Sequence, residues 1–308
     1  MQGTRREVLD AIADGPVSGP DLAARLDVSR AAVWKHVEGL REAGFAIESD
    51  DAGYRLDGVP AYGGEAIAFG LDAPIEVEYH DSIPSTNARA RELAAEGATD
   101  VAVVADEQTG GRGRLDRGWV SPPGGIWLSV LCRPDLPPAH APLLTLAAAV
   151  AAAETARETG TDARIKWPND LLVPGVDSDE KLAGILTEME GEADRVSWVV
   201  VGIGINVDPE GLPAGATGLL AHAESVDRRT FVQRLLERFD ACRDDPDSVL
   251  SAWREHALTI GQRVRVETPT DGIVGEAIDI EFPGSLVVET DDGRVRVHAG
   301  DCEHLRPA

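Results

Sequence analysis

The sequence predicts an α+β chain of several domains: a winged helix-turn-helix first, a central mixed α/β domain next, and a small β-barrel last. Three observations carry this. Two short helical periodicities meet across a tight turn and run into an alternating hairpin. Strand-like and helix-like segments then alternate to about residue 256. From Gly261 only short alternating strands between turn residues remain. At roughly 100–200 residues per domain, 308 residues accommodate all three.

Taken in order, residues 4–13 (TRREVLDAIA) set Val8, Leu9 and Ile12 at helical spacing, and Gly15-Pro16 stops them. Ser18 opens a second helix through Leu22 and Leu26. Ser29 caps a third, SRAAVWKHVEGLREAG, whose Val33, Val37 and Leu40 face inward and whose Gly44 ends it. The alternating FAIESDDAGYRL, with a turn at DDAG, fits a two-stranded wing. This gives a DNA-binding domain over 1–60, with Ser29, Arg30, Trp34 and Lys35, and His36 beside them, on the N-terminal half of the recognition helix. Residues 57–74, rich in Gly, Pro and Ala, read as a connector. The segments IEVEYHD, VAVVADE, GIWLSVLC, ARIKWP and SWVVVGIGINV then read as strands, with LAAAVAAAETARETG and RTFVQRLLERFDACR as helices, in a domain over 75–257. GQRVRVET, GIVGEAIDI, SLVVETD and RVRVHAG build the last domain, 260–308.

Composition narrows the function. Fifty-four acidic against 29 basic residues give a net charge of −25, which repels nucleic acid and anionic membrane, so any phosphate or DNA site is a local exception. The first sixty residues carry only −4 of that total. No run of eighteen apolar residues and no signal-like N-terminus occur, so the expectation is a cytoplasmic chain without a membrane partner. Cys132, Cys242 and Cys302 are odd in number and far apart, which excludes a disulfide framework and CxxC zinc patterns. Only three of the 29 basic residues are lysines: Lys35, Lys166 and Lys181. Heavy carboxylate use with so little lysine is the composition expected of a halophilic cytoplasm.

Chemistry concentrates in a few segments. In EQTGGRGRLDRGW, Gly110, Gly111 and Gly113 let backbone N–H groups approach a ligand, while Arg112, Arg114 and Arg117 supply planar cationic forks. The loop matches neither the P-loop nor GxGxxG, and suits a phosphate or acyl-phosphate. KWPNDLL sets Lys166 and Asp170 beside a Trp167-Pro168 corner, and KLAGIL brings Lys181. A chain that avoids lysine keeps two within sixteen residues, where a compact point charge on a carboxylate or anhydride oxygen does what arginine cannot. VGIGINV, an apolar strand broken by glycines and ending in Asn206, suits one side of a flat ligand.

These motifs, in order, resemble the bifunctional biotin protein ligase and biotin operon repressor family over essentially the whole chain: STN (85–87), EQTGGRGR, W-x-SP-x-GG, KWPNDL, KLAGIL and GIGIN. The resemblance implies a central domain of the biotin/lipoate protein ligase class and an SH3-like C-terminal barrel. It implies an enzyme that joins biotin to ATP with Mg²⁺, forms biotinyl-5′-AMP, and passes biotin to a lysine of a carboxylase's biotin carrier domain. Ser85, Thr86, Asn87 and Gln108 are then expected at the biotin end, with Arg112, Gly113 and Arg114 ordering over it. Lys181 is expected on the developing charge, Trp119 on adenine, and Lys166, Asn169, Arg117 and Asn206 around the nucleotide. Asp170 is expected to serve Mg²⁺ and to orient the incoming amine. Lys181, Arg112, Arg114 and Asp170 thus form the expected catalytic set. A repressor role on operator DNA, with biotinyl-5′-AMP as corepressor of a homodimer, follows from the same resemblance. Two alternatives stay open: a ligase whose winged helix has no DNA-binding role, and a transcription factor that only senses biotin. One departure is notable. Asp116 stands where the family commonly has glycine, and is expected to pair with Arg114 or Arg117.

Overall fold

The structure is a computed structural model that describes residues 2–176, 178–268 and 271–305. The chain gathers into two compact units, one of residues 1–72 with 227–233, the other of residues 73–226 with 234–308.

The first unit begins with α1 (Gln2–Ala13), α2 (Gly19–Arg25) and α3 (Arg30–Glu42). Ser18 Oγ accepts from Asp21 N–H and Ser29 Oγ from Ala32 N–H, so both helix starts are capped by the residues the sequence marks. Gly44, at φ +93°, closes α3 in the left-handed region. The hairpin β1 (Ala46–Asp50) and β2 (Gly53–Gly58) follows in antiparallel register. Arg41 ties it to α3, donating to Ile47 O and Ser49 Oγ, each at 2.7 Å from Nη2. Val8, Leu9, Ile12, Leu22, Val33, Val37 and Leu40 form the core. The expected connector differs from the sequence reading: it contains α4 (Gly64–Ala68), whose Ala66 is buried in that core. Gly and Pro signalled a linker there, but two buried apolar positions outweigh them.

The second unit centres on a seven-stranded sheet: β3 (Glu76–Ile83), β4 (Val101–Gln108), β5 (Ile126–Cys132), β6 (Arg164–Lys166), β7 (Asp170–Val173), β8 (Glu180–Gly191) and β9 (Val196–Ile205). Its order is β3-β4-β5-β9-β8-β7-β6. Only β3 and β4 pair in parallel, and the helix α5 (Thr86–Ala95) supplies their crossover. The long α6 (Pro142–Glu158) packs on β6, β8 and β9. The segment Pro138–Glu158 is long and apolar enough on composition to cross a membrane, yet 72% of its most apolar window is buried here as a core helix. Its alanines allow close approach of helix to sheet. Two further helices, α7 (Arg228–Cys242) and α8 (Pro246–His256), follow.

The C-terminal part is a five-stranded antiparallel sheet: β10 (Arg263–Glu267), β11 (Gly272–Glu281), β12 (Ser285–Thr290), β13 (Gly293–Val297) and β14 (Asp301–His304), in the order β13-β12-β11-β10-β14. Four strands were legible. The fifth, DCEH, is too short and polar to declare itself. Residues 306–308 of the expected last domain lie outside the described residues. All three cysteines are free thiols, and burial pushes Cys132 up to about 12 and Cys302 up to about 11.

Candidate functional site

A cleft of about 280 Å³ opens over the middle of the seven-stranded sheet. Strand register explains its floor. Asp170, Gly184, Gly204 and Trp127 are successive cross-strand partners on β7, β8, β9 and β5, and Leu186, Gly202 and Ser129 form the next row on the same face. Glycines therefore occupy the centre of both rows. A Cβ at Gly204 would lie 2.7 Å from Trp119 Nε1, and one at Gly202 would lie 2.1 Å from Asn87 Oδ1. The indole and the carboxamide take the space those side chains would fill.

Over this floor hangs the glycine-arginine loop. Its hairpin is closed by Gly113 N–H donating to Arg117 O (2.8 Å) and Trp119 N–H to Gly111 O (2.9 Å). Arg114 donates to Asn169 Oδ1 at 2.9 Å and to Gly300 O at 2.7 Å, and Arg117 donates to Asp301 Oδ2 at 2.9 Å. The loop thus leans on β14, which sequence reasoning had not singled out. The expected partner of Asp116 is corrected: its carboxylate lies 3.8 Å from Arg112, while Arg114 and Arg117 are engaged below. Leu115 and Asp116 have φ of +55° and +54°, and this left-handed pair turns the carboxylate back towards Arg112. At this angle glycine would sit at position 116 without strain.

Lys181 Nζ sits 2.8 Å from Asp170 Oδ1 and 5.2 Å from the centroid of the Trp119 ring. Trp119 meets Trp127 edge to face, and its Nε1 is buried with no hydrogen-bond partner, an unspent donor at the cleft floor. Asn206 lines the cleft, but its carboxamide is occupied, donating to Lys181 O and Thr217 O, so it holds the backbone that carries Lys181. Asn169 is similarly committed, to Arg114 and Ile185 O. Ser85, Thr86, Asn87 and Gln108 all line the cleft. Ser85 caps α5 through Ala88 N–H. Gln108 Oε1 accepts Thr86 N–H at 2.9 Å while its Nε2 donates to Ser121 Oγ at 3.1 Å. Lys166 is the exception. It stands outside the cleft lining, on β6 opposite Asp170, and burial of His304, with the Lys166 charge added, pulls that ring down to about 4.

In the first unit, Arg30, Trp34 and Lys35 lie exposed on α3, with Trp34 58% accessible, and Ser29 is spent as the cap. His36 is less accessible, and burial with the nearby Arg5 charge lowers it from the ordinary histidine range. The wing is acidic, carrying Glu48, Asp50, Asp51 and Asp57, and its Arg55 pairs with Glu48 at 2.5 Å and lies 3.8 Å from Asp57. Among the described residues no cluster of three or more His, Cys, Asp or Glu could hold a metal ion.

Residues 79–206 match the biotin/lipoate A/B protein ligase family, 259–305 the biotin protein ligase C-terminal domain, and 6–55 an HTH domain. The bifunctional ligase/repressor BirA of Bacillus subtilis is 40% identical over 309 residues, covering 93% of each chain. A biotin–[acetyl-CoA-carboxylase] ligase of Mycobacterium tuberculosis is 38% identical over 72% of this chain and 86% of its own. The solved biotin protein ligase of Aquifex aeolicus in complex with biotin and ATP aligns over 74% of this chain and 99% of its own, with 25% identity and a TM-score of 0.63.

Proposed function

The chain belongs to the biotin protein ligase family, and from that premise we propose that it activates biotin with ATP to biotinyl-5′-AMP and transfers biotin to one lysine of a carboxylase's biotin carrier domain. It also acts as a biotin-responsive repressor through its N-terminal domain. The observation that carries the enzyme reading is the convergence of six separate motifs on one cleft, with the Lys181–Asp170 pair at its floor and the arginine loop above.

In this reading Thr86 and Gln108 bind the ureido end of biotin, where hydroxyl and amide groups complement a cyclic urea. Lys181 neutralises the biotin carboxylate and the α-phosphate as the mixed anhydride forms, exchanging Asp170 for them. Asp170, released from that pair, orients the carrier's lysine amine. Arg112, Gly113 and Arg114 close over the adenylate and keep water from a hydrolysable bond. Trp119 offers adenine its ring and its unspent N–H. Arg117 and Asn169 steady the loop against the nucleotide. Lys166 serves the nucleotide as a more distant positive charge.

Mg²⁺ suits this cleft because it needs only one or two carboxylates beside the ATP phosphates, and Asp170 and Asp301 are the carboxylates among the lining residues. Bound there, it neutralises phosphate charge and orients pyrophosphate as a leaving group. The acidic, lysine-poor composition supports a cytoplasm of high salt as the working environment. As repressor, the protein binds operator DNA as a homodimer, with biotinyl-5′-AMP as corepressor. Exposure of Arg30, Trp34 and Lys35 supports a DNA-reading helix. A pure biotin sensor is disfavoured because sensing gives no reason to keep the Lys181–Asp170 pair.

Purified protein given biotin, Mg-ATP and a carrier domain in high-salt buffer should release pyrophosphate and label one lysine. No pyrophosphate release would overturn the enzyme reading. Footprinting upstream of biotin-synthesis genes, with and without biotin and ATP, tests the repressor.

A further inference from the structure

A continuous chain of polar contacts crosses the sheet beneath the cleft. Arg91 Nη1 meets Glu188 Oε1 at 2.5 Å, and Glu188 Oε2 accepts from Asn87 Nδ2 at 2.7 Å. Asn87 Oδ1 lies 2.5 Å from Ser129 Oγ, and Ser129 Oγ lies 2.7 Å from Thr86 Oγ1. Thr86 Oγ1 lies 3.1 Å from Gln108 Oε1. Ser129, fully buried on β5, stands opposite Gly202, the glycine whose missing side chain lets Asn87 reach it.

The direction of every proton in this chain is fixed by its acidic end. An ionised carboxylate only accepts, and so does Leu186 O, 3.3 Å from Asn87 Nδ2. The Asn87 amide must therefore point its NH₂ at Glu188, which turns its oxygen towards Ser129. Ser129 has one hydroxyl proton and donates it to that oxygen. The Thr86 proton is then drawn to Ser129 Oγ or Gln108 Oε1, both acceptors lying within the chain. Thr86 Oγ1 is left with both lone pairs free.

We propose that Glu188 and Ser129 are positioning residues that set the polarity of the biotin subsite, making Thr86 an obligate acceptor that selects a ligand N–H and rejects a ring oxygen or a lone-pair donor in its place. The inference rests on the biotin-binding reading above and goes beyond it, because neither residue lines the cleft. A serine alone in the apolar run GIWLSVLC and a glutamate ion-paired within β8 select the substrate through two intervening side chains.

The test uses the full-length protein and three ligands: biotin and two cyclic carbamate analogues, each with one ureido N–H replaced by oxygen. Calorimetric affinities are measured for wild type, Ser129→Ala, Glu188→Gln and Arg91→Ala, with thermal midpoints alongside. Wild type should reject one of the two carbamates by about a hundredfold or more, as sites built around a ligand donor do. Ser129→Ala leaves the Thr86 proton only the longer contact to Gln108 Oε1, and Glu188→Gln leaves the Asn87 amide only the longer contact to Leu186 O, so that Asn87 can flip and the Ser129 proton turn to Thr86. Each should compress that ratio by about tenfold, the worth of one hydrogen bond. Arg91→Ala, which keeps the carboxylate, should leave the ratio within about threefold. Variants that weaken all three ligands equally, or fold well with the ratio unchanged, would overturn the relay while leaving biotin binding intact. If Ser129→Ala does not fold, Glu188→Gln decides alone. A wild type that binds no biotin would overturn the functional reading itself.

Discussion

Lys181 Nζ and Asp170 Oδ1 approach to 2.8 Å from adjacent strands, and the same ammonium lies 5.2 Å above the Trp119 ring. A compact ammonium fits between a carboxylate and an indole where a planar guanidinium needs a wider slot. The pair therefore gives a physical reason for a lysine-poor chain to keep a lysine here. Lys181→Ala should lower biotin-dependent pyrophosphate release by about 10²–10³-fold, the usual cost of removing one preorganised charge partner. Biotin binding should survive. Lys181→Arg should still cost about tenfold or more, and a silent arginine variant would contradict the account.

The glycine floor makes a graded prediction. A Cβ at Gly204 would meet Trp119 Nε1 at 2.7 Å, whereas one at Gly184 would meet the ring no closer than 3.2 Å. Gly204→Ala should displace the indole, raising KM for ATP about tenfold and altering the near-ultraviolet circular dichroism of tryptophan. Gly184→Ala should raise it less than about threefold.

Asp116 holds φ at +54° beside Leu115 at +55°. Non-glycine residues in this region cost about 1 kcal/mol or more, although aspartate is among the more tolerant. Asp116→Gly should favour the observed hairpin, slowing tryptic cleavage after Arg114 and Arg117 severalfold in ligand-free protein. Faster cleavage would show that the Arg112–Asp116 pair outweighs the strain.

His304 links β14 to the strand end that carries Trp167. Thr259 Oγ1 accepts from Trp167 N–H at 2.9 Å and lies 3.0 Å from His304 Nε2, which in the neutral ring accepts the hydroxyl proton. Burial and the Lys166 charge pull His304 down to about 4 from 6.5. A histidine depressed in the folded state contributes stability that is complete above the unfolded value and is lost as pH falls towards the folded one. The thermal midpoint should therefore decline between about pH 6.5 and about pH 4, and His304→Gln should flatten that decline.

On the recognition helix, Lys35→Ala should weaken operator binding across sequences and reduce the salt slope by about one, while Trp34→Ala should cost about 1–3 kcal/mol and relax sequence preference. Neither should change carrier labelling in a ligase assay. Equal operator affinity in all three proteins would favour the alternative in which the winged helix has no DNA-binding role.

Much of the fold was legible because its signals are local. Ser18, Ser29 and Gly44 punctuate the second and third helices where the structure begins and ends them. The site was legible as motifs but not as partnerships. Ser129 sits in a run that reads as pure core, and Glu188, two residues past KLAGIL, belongs to no motif, so only the folded structure brings either to Asn87. Asp301 was invisible for a related reason: β14 is short and polar, and its value lies in meeting Arg117 from 184 residues away. Asp116 was correctly marked as unusual, yet its partner depended on backbone angles that composition does not encode.

The glycines at 184, 202 and 204 also shape how this sequence can vary. Elsewhere on β8 and β9 a buried position accepts any aliphatic side chain of about the right volume. At 202 and 204, alanine is already one carbon too many, because the space belongs to Asn87 of α5 and Trp119 of the arginine loop. A saturation scan of β9 should return two narrow intolerant positions flanked by permissive ones, and substitutions at Asn87 or Trp119 should change which replacements those positions accept.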